Sequence, residues 1–301
     1  MILNFEDLTV KAKNIKKQRL AVAGAADKTV IEAVYRAEKL GTVYPLLYGD
    51  EVKIKELLQE YPMPAALFGT ASEEEAARQA VAAVRAGAAD FLMKGMVDTG
   101  VLLKAVLNRD SGIRGTSLLS HVAVFAVPDC NRLLIASDCA MVLAPSFEDK
   151  IKIIDNAVTV ARALGIKIPK VGVLSASEKI NPKLSSSVEA DMLTQYYAGR
   201  DDVIVGGPYA LDNLISAEAA AHKAITGPVA GAADIIIFPG IEAGNTFYKT
   251  IVCLAGALPA GIIVGARCPI ALTSRADTAT AKFHAILLAL VVNCETHNFS
   301  N

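Results

Sequence analysis

Five short segments combine hydroxyl, carboxylate, amide and cationic side chains as an anion-handling site would: Lys94-Gly95-Met96-Val97-Asp98-Thr99, Ser175-Ala176-Ser177-Glu178, Gly207-Pro208-Tyr209-Ala210-Leu211-Asp212-Asn213, Glu242 through Lys249, and Thr273-Ser274-Arg275-Ala276-Asp277. The last points most directly to chemistry. It follows an apolar run, so the two hydroxyls, free backbone N–H groups and the forked guanidinium of Arg275 could meet one phosphate together. A plainer reading stands beside it. Ser274 and Asp277 have the S-x-x-D spacing of a capping box, so Asp277 either caps the final helix or serves the chemistry. Gly207 and Gly244 also fit tight turns without a ligand, Lys249 fits a solvated lysine one turn into a helix, and His121 beside Ser120 fits a hydrogen-bonded structural histidine.

The elements that must position these segments are legible as alternation. Short apolar runs at Leu20–Ala23, Leu46–Tyr48, Asp90–Met93, Val122–Val127, Leu133–Ala136, Val171–Leu174, Val203–Val205, Ile235–Phe238, Ile262–Val264 and Ile270–Leu272 are separated by helical patterns. Runs that are continuous rather than alternating suit parallel strands covered on both faces. Ser146 and Asp149 predict an N-cap and its partner for a helix carrying Ile151, Ile154, Val158, Ala161 and Leu164, closed by Gly165 and Pro169. Glu73–Glu75 predict the first turn of an alanine-rich helix. Ligands of such sheets bind beyond strand carboxyl ends, where helix N-termini offer N–H groups, and the polar segments above fall there. Ten strands exceed a comfortable single open sheet, so two lobes are expected. The polar stretch Asn108–Thr116 and the segment Gly265–Pro269 are the expected crossing points.

Composition removes several functions. A net charge of −1 with both signs spread along 301 residues leaves no basic field for nucleic acid. The longest apolar run, Ala285–Val292, is far shorter than the roughly 20 residues of a membrane span, and the N-terminus lacks a secretion pattern, so a cytoplasmic protein is expected. Five cysteines without a C-x-x-C pair read as reduced core residues, and four histidines without H-E-x-x-H give no metal site. No G-x-G-x-x-G after a strand, P-loop or G-x-S-x-G elbow is present.

Taken in order, Leu92-Met93-Lys94-Gly95 with Asp98-Thr99, Leu119-Ser120-His121-Val122, Gly207-Pro208 with Leu211-Asp212-Asn213, Pro239 with Glu242-Ala243-Gly244-Asn245 and Tyr248-Lys249, and Pro269 through Asp277 resemble the phosphate acetyl/butyryltransferase family. The likeness spans about residues 19 to 290 and is closer to the butyryl branch, because Ala271-Leu272-Thr273-Ser274-Arg275-Ala276-Asp277 stands where the acetyl branch has Asn-Asp-Leu-Ser-Arg-Gly-Cys. The resemblance implies an α/β fold of two αβα three-layer lobes with mostly parallel sheets and an active cleft between them, like that of isopropylmalate dehydrogenase. Residues 1–110 and 266–301 would form the first lobe, with 111–265 inserted as the second. It implies the reaction acyl-CoA plus phosphate giving acyl phosphate plus CoA, with butyryl or another short chain, and acetyl transfer as the alternative. It further implies a homodimer or larger homo-oligomer, no metal, and no cofactor besides coenzyme A and phosphate as substrates. By similarity Ser274 and Arg275 face the reacting phosphate and carbonyl. Lys94, Thr99, Ser120, His121, Asp212, Asn213, Glu242, Gly244, Asn245 and Lys249 lie in the matching substrate-binding blocks. The acidic residue that lies about two turns after the Ser-Arg pair in the acetyl branch falls, counted without a gap, near Ala281, which cannot take a proton. Asp277 is the nearest carboxylate for that role, with Glu242 and Asp212 as further candidates. The rival readings are a non-catalytic binder of a phosphorylated metabolite and a metal-dependent dehydrogenase of related fold.

Overall fold

The computed structural model describes residues 1–115 and 117–298, the side chains of 297 and 298 excepted, so Thr116 of the expected crossing stretch lies outside the described residues. The chain divides into a split unit, Phe5–Ser117 with Pro259–Asn301, and an inserted unit, Leu118–Leu258 with Met1–Asn4.

The split unit begins with α1 (Phe5–Lys13), β1 (Gln18–Ala23), α2 (Lys28–Lys39), β2 (Val43–Gly49), α3 (Glu51–Glu60), β3 (Ala66–Gly69), α4 (Glu73–Arg85), β4 (Phe91–Lys94) and α5 (Thr99–Val106). Short polar side chains start these helices: Asp27, Asp50, Ser72 and Asp98 each accept backbone N–H groups of the first turn. The inserted unit follows with β5 (Ser120–Ala126), β6 (Leu134–Ser137), α6 (Phe147–Ala163), β7 (Lys170–Leu174), α7 (Ser185–Tyr197), β8 (Ile204–Tyr209), α8 (Leu211–Ile215), α9 (Ala217–His222), β9 (Ile235–Ile237) and α10 (Ile241–Cys253). The chain then returns to the split unit as β10 (Leu258–Val264), β11 (Ile270–Ala271) and α11 (Ala279–Asn298).

Within the split unit the strand order is β3-β2-β1-β4-β11-β10, parallel except for β11 against β10. Within the inserted unit it is β5-β6-β9-β7-β8, parallel except for β5 against β6. The α/β class with mostly parallel pairing therefore holds. The crossings fall at 117/118 and 258/259 rather than 110/111 and 265/266. The reason lies in the pairing: Ile262 and Ile263 sit opposite Ala271 and Ile270, which ties β10 to the split unit. The first four residues belong elsewhere for a similar reason, since the Ile2 N–H donates to Leu164 O and Met1 lies against Gly165.

Two sequence expectations need correction. β3 was absent from the ten runs because its Ala-Leu-Phe-Gly is half exposed at a sheet edge, where apolar continuity is not required. β8 runs through Gly207 and Pro208, which are thus strand residues rather than a turn; an edge position tolerates the missing proline N–H. The Ser146–Asp149 capping box forms in both directions, as its spacing predicts.

α11 is buried on all sides from Ala281 to Asn293 and packs on α1 and α2. His284 within it stacks on Phe5, ring centroids 4.1 Å apart. Burial, with Arg36 nearby, pushes His284 down to about 4, and burial with Lys249 nearby does the same to His121. Both are neutral in the folded chain at pH 7, while unfolding restores a pKa near 6.5. The unfolded state then binds more protons below that value, so these histidines make stability fall as pH drops from about 6.5 toward about 4. Denaturant titrations at several pH values should show that loss, and His284→Phe should lessen it.

Candidate functional site

In the split unit, parallel pairing brings the ends of β1, β4 and β11 to one edge of the sheet, with Ala23 opposite Lys94 and Ala271 opposite Met93. The backbone approach there is very close. Gly95 N–H donates to Ala23 O at 2.8 Å, and a Cβ on Gly95 would lie 2.2 Å from Gly24 O. Lys94 is consequently held 3% exposed at the sheet edge, its Nζ donating to Gly95 O at 3.3 Å.

The Thr273–Asp277 turn leaves β11 beside it. Ser274 N–H donates to Asp277 Oδ2 at 2.7 Å, and Asp277 N–H returns to Ser274 O at 3.1 Å. Asp277 therefore closes the turn rather than capping α11; the cap is Thr278, whose Oγ1 accepts from Ala281 N–H. Lys282, 1% exposed in the first turn of α11, donates its Nζ to Ser274 O at 3.3 Å and Asp277 O at 2.5 Å. Burial lowers the pKa of Lys282, against the pull of Asp277 and Asp27. Arg275 is half exposed, and its guanidinium reaches Glu73 at 3.8 Å and Asp98 at 4.0 Å, long contacts that leave its donors available. Glu73 itself accepts the Asp98 N–H at 2.7 Å, and Thr99 opens α5 just beyond. The Thr273 hydroxyl is buried with no hydrogen-bond partner among the described residues.

The inserted unit carries a second cluster, organised by a buried carboxylate. Asp138 Oδ2 accepts His121 N–H, while Oδ1 accepts the N–H groups of Ala140 and Met141. Helix α10 presses on this loop: a Cβ on Gly244 would sit 2.2 Å from Asp138 O, and Asn245 Nδ2 donates to Cys139 O at 3.2 Å. His121 is buried against Tyr248, with its Nδ1 unpartnered among the described residues. Lys249 is exposed with its Nζ 5.2 Å from the Tyr248 ring centroid, and Glu242 is exposed in the first turn.

Three expected site residues are occupied with local structure. Ser120 is fully buried and accepts from Asn156 Nδ2 at 2.9 Å. Asp212 pairs with Lys223 at 3.0 Å, a hydrogen bond that lowers its pKa and makes it a poor proton acceptor. Asn213 is buried and bonds to Glu178, which also pairs with Lys223. The cysteines are not uniformly core residues, since Cys130 and Cys253 are exposed. Burial holds the Cys139 thiol well above its usual range and pushes Cys268 up to about 12, so neither supplies a thiolate. Among the described residues, no group of three or more His, Cys, Asp or Glu is placed to hold a metal ion.

A model of the family described as Phosphate acetyl/butaryl transferase matches residues 69–290, a span that contains both clusters. The chain belongs to this family. A probable phosphate butyryltransferase of Bacillus subtilis is 47% identical over 98% of this chain and 100% of its own length. A phosphate acetyltransferase of Thermotoga maritima is 43% identical over 95% and 99%. The crystal structure of a branched-chain phosphotransacylase from Enterococcus faecalis superposes with a TM-score of 0.83 at 33% identity, covering 92% of this chain and 99% of that one.

In this member of the phosphate acetyl/butyryltransferase family, sequence reasoning missed two residues that hold the site. Asp138 carried no signal beyond its place after an apolar run. Lys282 did, because a lysine interrupting the buried face of an apolar helix must have a polar task there. Removing its ammonium strands two carbonyls, so Lys282→Met should cost about 1–3 kcal/mol by chemical denaturation. It should also lower turnover with Ser274, Arg275 and Asp277 all unchanged; full activity in a stable K282M protein would show that the turn holds its shape unaided.

Proposed function

We propose that this chain is an acyltransferase that interconverts acyl-CoA plus phosphate with acyl phosphate plus CoA. The observation that carries the reading is the cationic edge of the split unit. Lys94 and Lys282 are buried, Arg275 stands half exposed beside them, and neither lysine has a carboxylate ion pair among the described residues. Such a cluster is complementary to a phosphate dianion. The family supports the same transformation, and relatives named for butyryl and for acetyl transfer are both similar to this chain. A short chain is our reading, with butyryl ahead of acetyl on the Ala271–Asp277 segment.

In the direction of acyl-CoA synthesis, Arg275 and the Thr273 hydroxyl hold the phosphoryl group, and Ser274 faces the carbonyl. Asp277, whose Oδ2 is engaged by Ser274 N–H, takes the CoA thiol proton on its other oxygen. The thiolate forms a C–S bond to the carbonyl carbon, the C–O bond breaks, and its electron pair leaves with phosphate, whose growing charge Arg275 neutralises. A thiol of pKa near 8.5 gains roughly 10²–10⁴ in rate from such a base. CoA and phosphate are substrates, and the scheme calls for no further cofactor.

Among the described residues no helix is long and apolar enough to cross a membrane. We place the protein in the cytoplasm, a compartment that suits five free cysteines, and propose a homodimer or larger assembly, for which Leu143 at 74% and Leu254 at 84% exposure offer apolar surface.

Phosphate-dependent release of thiol from butyryl-CoA tests the reaction; a non-catalytic binder of phosphorylated metabolites releases none. Asp277→Asn should lower turnover at least about a hundredfold with little change in melting, and a stable variant of near-normal rate removes Asp277 as the base. Arg275→Lys should lower kcat/KM for phosphate at least about tenfold, because a planar fork binds two phosphate oxygens where an ammonium binds as a point. The KM for acyl-CoA should move much less, and unchanged phosphate kinetics would shift the anion site to Lys94 or Lys249.

A further inference from the structure

The strand order of the split unit has a topological switch point between β1 and β4. From β1 the chain passes through α2 to β2 and β3 on one side, then returns through α4 to β4 on the other side of β1. The crevice beyond the carboxyl ends of these two strands is where a sheet of this kind receives a ligand. A cavity of about 190 Å³ lies there, lined entirely by residues of the split unit. Its walls are largely apolar: Ala26 after β1, Ala71 and Ala76 about the start of α4, and Met96 and Val97 after β4. Its polar rim is already engaged, since Asp50 accepts the N–H groups of Val52 and Lys53, Ser72 accepts Glu75 N–H, and Glu73 accepts Asp98 N–H. None of the lining residues is cationic and two of them, Asp50 and Glu73, are carboxylates, so the cavity has the wrong sign for a phosphate.

The anion turn is adjacent. Arg275 reaches Glu73 at 3.8 Å, and Glu73 is one of the lining residues. β11, which delivers the turn, is the neighbour of β4, and adjacent strands lie about 4.8 Å apart. From the carbonyl carbon to the tip of a butyryl chain, three C–C bonds of ~1.5 Å span about 4 Å, a comparable distance. We propose that the cavity receives the carbon chain of the acyl group, and that Ala26 and Met96 set the chain length the protein accepts. The inference rests on the acyl-transfer reading given above and adds the place of the chain. With the phosphoryl group on Arg275, the neutral chain runs away from the cations and exchanges water for an apolar wall. At about 30 Å³ for each water-sized group, the cavity takes tails of up to about six carbons. The Met96 N–H donates to Gly24 O at 2.8 Å, which fixes its backbone, so a change of side chain there alters the wall and not the turn. Ala26→Leu would place three further carbons in the same space.

The test measures kcat/KM of the full chain with phosphate and acetyl-, butyryl- or octanoyl-CoA, for the unaltered protein, Ala26→Leu and Met96→Ala. One methylene in an apolar pocket changes discrimination by about 10–200-fold. Ala26→Leu should therefore lower the butyryl-to-acetyl ratio at least about tenfold, because acetyl has only a methyl to place while the butyryl tail must meet the new side chain. Met96→Ala should raise the octanoyl-to-butyryl ratio at least about tenfold, since the octanoyl tail exceeds the unaltered cavity. Met96→Ala only removes atoms from a half-buried position, so it decides the matter if melting shows that Ala26→Leu does not fold. Turnover with both ratios unchanged overturns the placement of the chain and leaves the transfer reading intact. An equal fall for every acyl-CoA overturns the placement as well, because the cavity then serves a part common to all the substrates. If the unaltered protein releases no thiol from any acyl-CoA in the presence of phosphate, the transfer reading falls and this inference falls with it.

Discussion

The split unit depends on a charge placed where charge is expensive. Lys282 sits 1% exposed inside an otherwise apolar helix, and moving an ammonium out of water costs several kcal/mol even after relaxation. Its two bonds to Ser274 O and Asp277 O offset part of that cost, and they do so only while the turn keeps its shape. Helix, turn and buried charge therefore hold one another in place. Arg275 needs no rigid partner of its own, because its backbone is fixed from both sides: by the Ser274–Asp277 closure and by the strand register that delivers β11 next to β4.

The inserted unit solves the same problem with the opposite charge. Asp138 is buried, and desolvation raises its pKa, but backbone N–H groups, those of His121, Ala140 and Met141 among them, draw it the other way. Those bonds tie the end of β6 to the start of β5, and the loop they shape is the surface on which Gly244 and Asn245 rest. Gly244 is required by contact with backbone rather than by an unusual φ, which is why its place in a helix costs less than an intrusive side chain would.

What could be read from the sequence follows from this division. Nine of the strands announced themselves by continuous apolar runs that a buried parallel sheet enforces, and the Ser146–Asp149 box by local spacing. β3 escaped because an edge strand has only one neighbour to satisfy, and β8 was cut short because proline is a poor strand residue anywhere but an edge. The site turns were visible through residue type, yet their roles were not. Asp277 and Thr278 compete for the same cap within one turn, and only the hydrogen bonds decide between them. Ser120, Asp212 and Asn213 looked available because their partners, Asn156, Lys223 and Glu178, are 36, 11 and 35 residues away in sequence.

The arrangement of the three cations carries a thermodynamic consequence of its own. Lys94, Lys282 and Arg275 repel one another, and the repulsion is strongest between groups that water cannot screen; it is part of what lowers the Lys94 pKa. The folded chain bears this cost alone, since the unfolded chain lets the charges separate into solvent. An anion bound at the turn reverses the sign of the local field, so it stabilises the folded chain in proportion to the logarithm of its concentration above its dissociation constant. The same anion also draws Lys94 back toward its charged form, because a neighbouring negative charge favours the ammonium. The repulsion that the empty turn bears is thus part of what a bound anion relieves.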